Sequence, residues 1–109
     1  MKPHEHFKAL ADPTRIRITV LLSRGELCVC DLTAVLAMPQ STISRHMSKL
    51  KSAGLVVDRR DGRWVHYRPT TDQFPAGIAS AVSEHLAEIE PYHSDLTRLD
   101  LYLKAKKCD

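Results

Sequence analysis

A chain of 109 residues with 43% hydrophobic and 27% charged positions has room for one folded domain, which excludes a multidomain enzyme and a disordered chain. Its longest unbroken apolar run, Ala34 to Met38, is far below the ~20 residues of a membrane-spanning helix, and His4, Glu5, His6 and Lys8 interrupt any secretory apolar segment. The net charge of +3 is uneven: seven basic residues between Arg45 and Arg68 face only Asp58 and Asp61, a local +5 that leaves −2 elsewhere. Such a block is the electrostatic footprint of a nucleic-acid surface, though a solvated basic face has the same composition. These features predict a cytoplasmic protein without a membrane partner. Three cysteines, Cys28, Cys30 and Cys108, then read as reduced thiols open to metal or redox chemistry.

Taken in order, Phe7 and Leu10 mark a short first helix over about Pro3 to Ala11. Asp12-Pro13 opens a second, with Asp12 suited to the N-cap, Ile16, Val20, Leu21 and Leu22 as its apolar stripe, and Gly25 at its exit. Val29, Leu32 and Leu36 form a third helix that must end before Pro39. A fourth starts there, buries Ile43, Met47 and Leu50, and ends at Ala53-Gly54. Together these last two make a helix-turn-helix. Residues 55–60 and 63–68 follow as two strands around an Asp61-Gly62 turn, and Pro69 closes the second strand. Two terminal helices carry the stripes Ile78, Val82, Leu86, Ile89 and Leu96, Leu99, Leu103, whose apolar faces call for a second copy of the chain. Residues 1–109 thus read as a single domain with 104–109 as a tail.

This order of parts predicts a mainly α fold with a β-hairpin wing, a winged helix-turn-helix dimerised through its terminal helices. The fourth helix would enter the major groove of double-stranded DNA. Its outward positions Gln40, Ser41, Ser44 and Arg45 lie in the half that points into the groove and are assigned to base edges. Lys49, Lys51, Arg59, Arg60 and Arg63 flank that helix or sit on the wing and are assigned to phosphates. Thr42 and His46 complete the DNA-facing set, with His46 placed between packing and contact.

Leu10 to Arg15, Glu26-Leu27-Cys28-Val29-Cys30-Asp31-Leu32, Gln40 to Met47 and Gly54 to Arg63 resemble the ArsR/SmtB family of metal-sensing repressors, over roughly Phe7 to Ile89. The resemblance implies a homodimer that represses its operator, an inverted repeat, and releases it on binding an inducer. The Cys-Val-Cys segment looks like that of the arsenic- and cadmium/lead-sensing branches. It implies arsenite or antimonite as inducer, held by Cys28 and Cys30, with no organic cofactor. The arsenic-sensing pattern has a third cysteine where this chain has Thr33, so an exogenous ligand or Cys108 must supply the third position.

On a regular helix two residues apart in sequence lie ~200° apart, so Cys28 and Cys30 would reach one ion only by distorting their turn. That conflict predicts a switch in which the ion unwinds the start of the third helix. Competing assignments are a cadmium, lead or zinc site completed by His4 and His6, a zinc site at Asp72, Phe74, His85 and Glu88, and release by thiol oxidation. A thiol-redox enzyme is the remaining alternative, and it lacks a Cys-x-x-Cys pair and a βαβ pattern.

Overall fold

A computed structural model describes residues 2–106. Six helices and three short strands follow in the order α1 Pro3–Leu10, α2 Pro13–Leu22, β1 Leu27–Cys28, α3 Val29–Leu36, α4 Gln40–Ser52, β2 Val56–Asp61, β3 Trp64–Pro69, α5 Gln73–Leu86 and α6 Tyr92–Ala105. The fold is a winged helix, with the helix-turn-helix at its predicted place and the hairpin shifted by one residue.

Local chemistry explains most boundaries. The Asp12 carboxylate accepts the backbone N–H groups of Thr14 at 2.9 Å and Arg15 at 3.1 Å, filling two donors that the helix itself leaves open. α3 stops at Ala37, which adopts a left-handed conformation (φ 54°), and Pro39 prevents continuation. Gly54 at φ 74° carries the chain out of α4. Along α4, Ile43, Met47 and Leu50 are fully buried at helical spacing. Each such side chain contributes about 1.5–3 kcal/mol of burial, enough to fix which face of α4 is left outward.

The hairpin differs from its prediction by one residue. Asp61 pairs with Trp64, so the two-residue turn is Gly62-Arg63 and not Asp61-Gly62. Gly62 takes φ 63° at the first turn position, which lets Arg63 keep a negative φ. A larger difference is β1. Leu27 and Cys28 pair antiparallel with Tyr67 and His66, giving a sheet of order β1-β3-β2. Cys28 therefore belongs to the sheet and only Cys30 to the helix.

One stripe of the terminal helices is covered differently from expectation. Leu96 and Leu99 of α6 are buried in the chain's own core, where α6 packs on α2 and α3. Ile78, Val82 and Leu86 of α5 pack partly on the same core. What remains outward is a smaller apolar set: Phe7, Phe74, Ile89, Leu101 and Leu103, of which Ile89 lies beyond the end of α5. A second chain is thus not needed to cover the Leu96/Leu99 stripe. An internal ion pair anchors α6: Asp95, with no exposed surface, accepts Nε and Nη2 of Arg17 at 2.8 and 2.9 Å and a further contact from Arg98. Among the described residues no helix is long and apolar enough to cross a membrane.

Candidate metal centre and nucleic-acid interface

Cys28 and Cys30 sit where β1 turns into α3. Cys28 is the N-cap of α3 in extended backbone (φ −91°, ψ 166°), so helical geometry does not separate the two side chains. The sulfurs are joined as a disulfide with the Cα atoms 5.3 Å apart. This corrects two expectations. The sulfurs need not unwind α3 to meet, because the residue expected in the helix is in the strand; and the pair is a disulfide where the sequence favoured free thiols.

Among the described residues, one group of three His, Cys, Asp or Glu donors has its ligand atoms within 4.8 Å of one another: Cys28, Cys30 and Asp31. Asp31 is buried, and both its oxygens are engaged. Oδ2 accepts the Cys28 backbone N–H at 2.9 Å, while Oδ1 accepts the Tyr102 hydroxyl at 2.9 Å and the Lys106 ammonium at 2.5 Å. In the sequence Asp31 stands only within the Glu26–Leu32 motif. Its position three residues after Cys28 is the capping-box spacing, a signal that was there to read; Tyr102 and Lys106, 71 and 75 positions away, carried none.

The disulfide lines one side of a cavity of about 420 Å³. Gln40 and Ser44 from α4 and Arg63 and Trp64 from the wing line it too, as does Thr33. Thr33 is held by its hydroxyl donating to the Val29 carbonyl at 2.8 Å. Sequence reasoning gave Trp64 no role. In the structure it is exposed, and the Arg63 guanidinium lies 5.5 Å from its ring centroid, within cation–π range.

On α4, Gln40, Ser41, Ser44, Arg45 and Lys49 are exposed, on the side opposite Ile43, Met47 and Leu50. Thr42 and His46 are half-buried, and the His46 ring meets Arg15, whose Nη1 lies 3.2 Å from Nδ1. The cations assigned to phosphates divide into two groups. Lys51 pairs with Asp58 at 2.9 Å, and Arg59 grips the Glu26 carboxylate through three contacts of 2.7, 3.0 and 3.1 Å. The hydrogen bonds from Arg59 hold the Glu26 carboxyl below its ordinary value. Lys49, Arg60 and Arg63 are exposed and, among the described residues, enter no ion pair.

The other histidine and carboxylate assignments do not assemble among the described residues. His6 is buried, with Nδ1 2.7 Å from the Ala53 carbonyl, so it is a packing residue and not a surface ligand. Phe74 is half exposed and meets the rings of His6 and Phe7. Neither His4 and His6 nor Asp72, His85 and Glu88 join a three-donor group among the described residues. Cys108 lies outside the described residues.

Residues 12–57 match the family described as "Bacterial regulatory protein, arsR family". The chain is also 49% identical over 83 residues to the arsenical resistance operon repressor of Escherichia coli strain K12, a match covering 75% of this chain and 70% of that protein. The chain belongs to the arsR family. Within it, the arsenic resistance transcriptional regulator ArsR1 of Pseudomonas putida is 57% identical over 63 residues, 57% of this chain and 49% of that protein, so the match spans only about half of that arsR relative. Solved structures agree on the fold. The transcriptional repressor BigR from Xylella fastidiosa superposes with a TM-score of 0.70 at 27% identity, over 78% of this chain and 83% of that one. A homodimeric winged helix-turn-helix domain from Mycobacterium bovis, described as a possible ArsR-family regulator, gives 0.67 at 32% identity, over 83% and 82%.

Proposed function

We propose that this arsR-family protein is a homodimeric transcriptional repressor, not an enzyme, that holds an inverted-repeat operator and releases it when trivalent arsenite or antimonite bonds to Cys28 and Cys30. One observation carries the reading: the cysteine pair, Gln40 and Ser44 of α4, and Arg63 of the wing line the same cavity. A ligand there acts on both DNA-reading elements at once. Relatives named for arsenic resistance and a homodimeric structural neighbour support it.

The donor set favours a thiophilic centre. Two sulfurs already lie together, while the hard donor beside them, Asp31, spends both oxygens on Cys28, Tyr102 and Lys106. Zinc and cadmium sites completed by histidine or carboxylate are correspondingly disfavoured. The pair must first be reduced, two equivalents of a small thiol leaving as their own disulfide. Each sulfur then bonds to the metalloid as one thiol proton and one metalloid hydroxide depart as water. The third position falls to Cys108 or to an exogenous ligand.

Release follows from where Cys28 sits. Its backbone is paired to His66 of β3, so displacement of the β1–α3 turn is passed to the wing through the sheet and to α4 through the shared cavity. Gln40, Ser41, Ser44 and Arg45 read bases; Lys49, Arg60 and Arg63 hold phosphates; Lys51 and Arg59 join them by exchanging Asp58 and Glu26 for phosphate. Thr42 and His46 support the helix from its half-buried side.

Fluorescence anisotropy on a duplex from upstream of its own gene, titrated separately with arsenite, antimonite, cadmium, zinc and peroxide, tests this. Arsenite or antimonite should release the wild type. Cys28→Ser and Cys30→Ser should bind DNA normally and ignore the metalloid. A full arsenite response in both variants rejects the site, and release by peroxide alone assigns the pair to oxidation.

A further inference from the structure

The exposed face of α4 has two borders. At ~100° per residue, Gln40 and Ser44 lie ~40° apart on one of them, and Arg45 and Lys49 lie ~40° apart on the other, the two pairs displaced by ~140°. The first border adjoins the wing cavity. The second forms a wall of a separate cavity of about 490 Å³ between α4 and α1, lined by Glu5, Lys8, Arg15, Arg45, Ser48 and Lys49 among others. Four cations there face one carboxylate, a net +3.

Their engagements differ. Arg15 is spent internally, donating to the Ala9 carbonyl at 2.5 Å and meeting His46. Glu5 turns back on its own helix and accepts the Lys2 backbone N–H at 3.2 Å. Lys8, Arg45 and Lys49 are exposed and, among the described residues, enter no ion pair. Lys8 was not singled out by the sequence, because it lies 37 positions before Arg45 and outside the helix-turn-helix.

We propose that the α1–α4 cleft seats a backbone phosphodiester of the bound duplex, with Lys8 contributing a contact from α1. The proposal rests on the DNA-binding reading above. A helix about 10 Å across fills a major groove about 12 Å wide, so a row of phosphates runs along each of its flanks. The wing, through Arg63, serves one flank. On the other the fold offers Lys8, and Arg45 and Lys49 already border both the groove and the cleft. The contact is with the backbone, so it adds affinity without reading sequence.

Anisotropy as a function of NaCl tests it, using wild type, Lys8→Ala, Arg45→Ala and, as a control on α6, Lys104→Ala. One phosphate lost per protomer makes the log–log salt slope shallower by about 0.9, or about 1.8 for a dimer. Lys8→Ala should show that change, and should weaken operator and scrambled duplex by the same factor. Glu5→Gln should tighten both. Replacing single phosphates by neutral methylphosphonates should reveal one position whose substitution weakens wild type and leaves Lys8→Ala unaffected. An unchanged slope in Lys8→Ala beside weakened binding in Arg45→Ala overturns the cleft and leaves the DNA reading intact. An equal slope change in Lys104→Ala also overturns it. Failure of the wild type to bind any duplex removes both readings together.

Discussion

The Tyr102 hydroxyl donates to Asp31 Oδ1 at 2.9 Å, tying the last helix to the turn that carries the cysteines. The same carboxylate holds the Cys28 backbone N–H through its other oxygen, so α6 bears on the thiol pair through a single buried side chain. Tyr102→Phe removes one charge-assisted hydrogen bond and should cost about 1.5 kcal/mol, because Lys106 still reaches that oxygen. Asp31→Ala strands three donors and should cost more. Urea unfolding measures both, and equal stability of the two variants would contradict the arrangement.

Arg17 and Arg98 share Asp95 unequally. The Arg17 side chain is 23% exposed and binds both oxygens of the fully buried carboxylate, whereas that of Arg98 is 49% exposed. Removing the buried partner leaves a poorly compensated charge, so Arg17→Ala should destabilise by about 3 kcal/mol. Arg98→Ala should cost under about 1 kcal/mol, as half-exposed pairs do. Chemical denaturation of the two variants decides the ranking.

Glu26 neutralises Arg59, a cation assigned to phosphate. In Glu26→Gln, Arg59 no longer has to surrender a carboxylate on reaching phosphate, so operator binding should tighten at low salt while the log–log salt slope, which counts phosphates neutralised, stays the same. The sign of the pH effect is fixed by the lowered carboxyl: the pair persists above the ordinary value of 4.5 and breaks only as pH falls through the lower one. Wild type and Glu26→Gln should therefore differ throughout the neutral range. Unchanged operator affinity of Glu26→Gln at low salt would show that Arg59 makes no phosphate contact.

Thr33 lines the cysteine cavity at the position where the arsenic-sensing pattern has a third thiol. In a Cys108→Ser background, Thr33→Cys should restore the metalloid response by at least tenfold in affinity, about 1.4 kcal/mol. Loss of the hydroxyl bond to Val29 should leave the fold intact, which circular dichroism monitors. No gain over the Cys108→Ser parent would place the third ligand elsewhere.

The elements governed by local chemistry were legible in the sequence. The Asp12 cap, the Ile43/Met47/Leu50 stripe and the outward face of α4 all appear where their spacing places them. β1 was not legible, because two residues carry no periodicity and the strand exists only through pairing with Tyr67 and His66, some forty positions later. Assigning Cys28 to the helix followed from that omission, and with it the expected conflict between the two sulfurs. Leu96 and Leu99 read as an amphipathic stripe either way; whether the covering surface belongs to the same chain is a tertiary fact. The pairing of Arg59 with Glu26 was hidden for the same reason, 33 positions separating them.

Gln40 and Ser44 each have two neighbourhoods, the exposed surface of α4 and the chamber beside the cysteines. Under the proposed function, operator preference and inducer preference are consequently coupled. A substitution selected to recognise a new base also reshapes the chamber, and one selected to admit a bulkier effector changes what the helix presents to DNA. Anyone rebuilding it as a biosensor should vary both properties in one library and screen them together, whereas Arg45 and Lys49, on the opposite border of the helix, can be altered without touching the chamber.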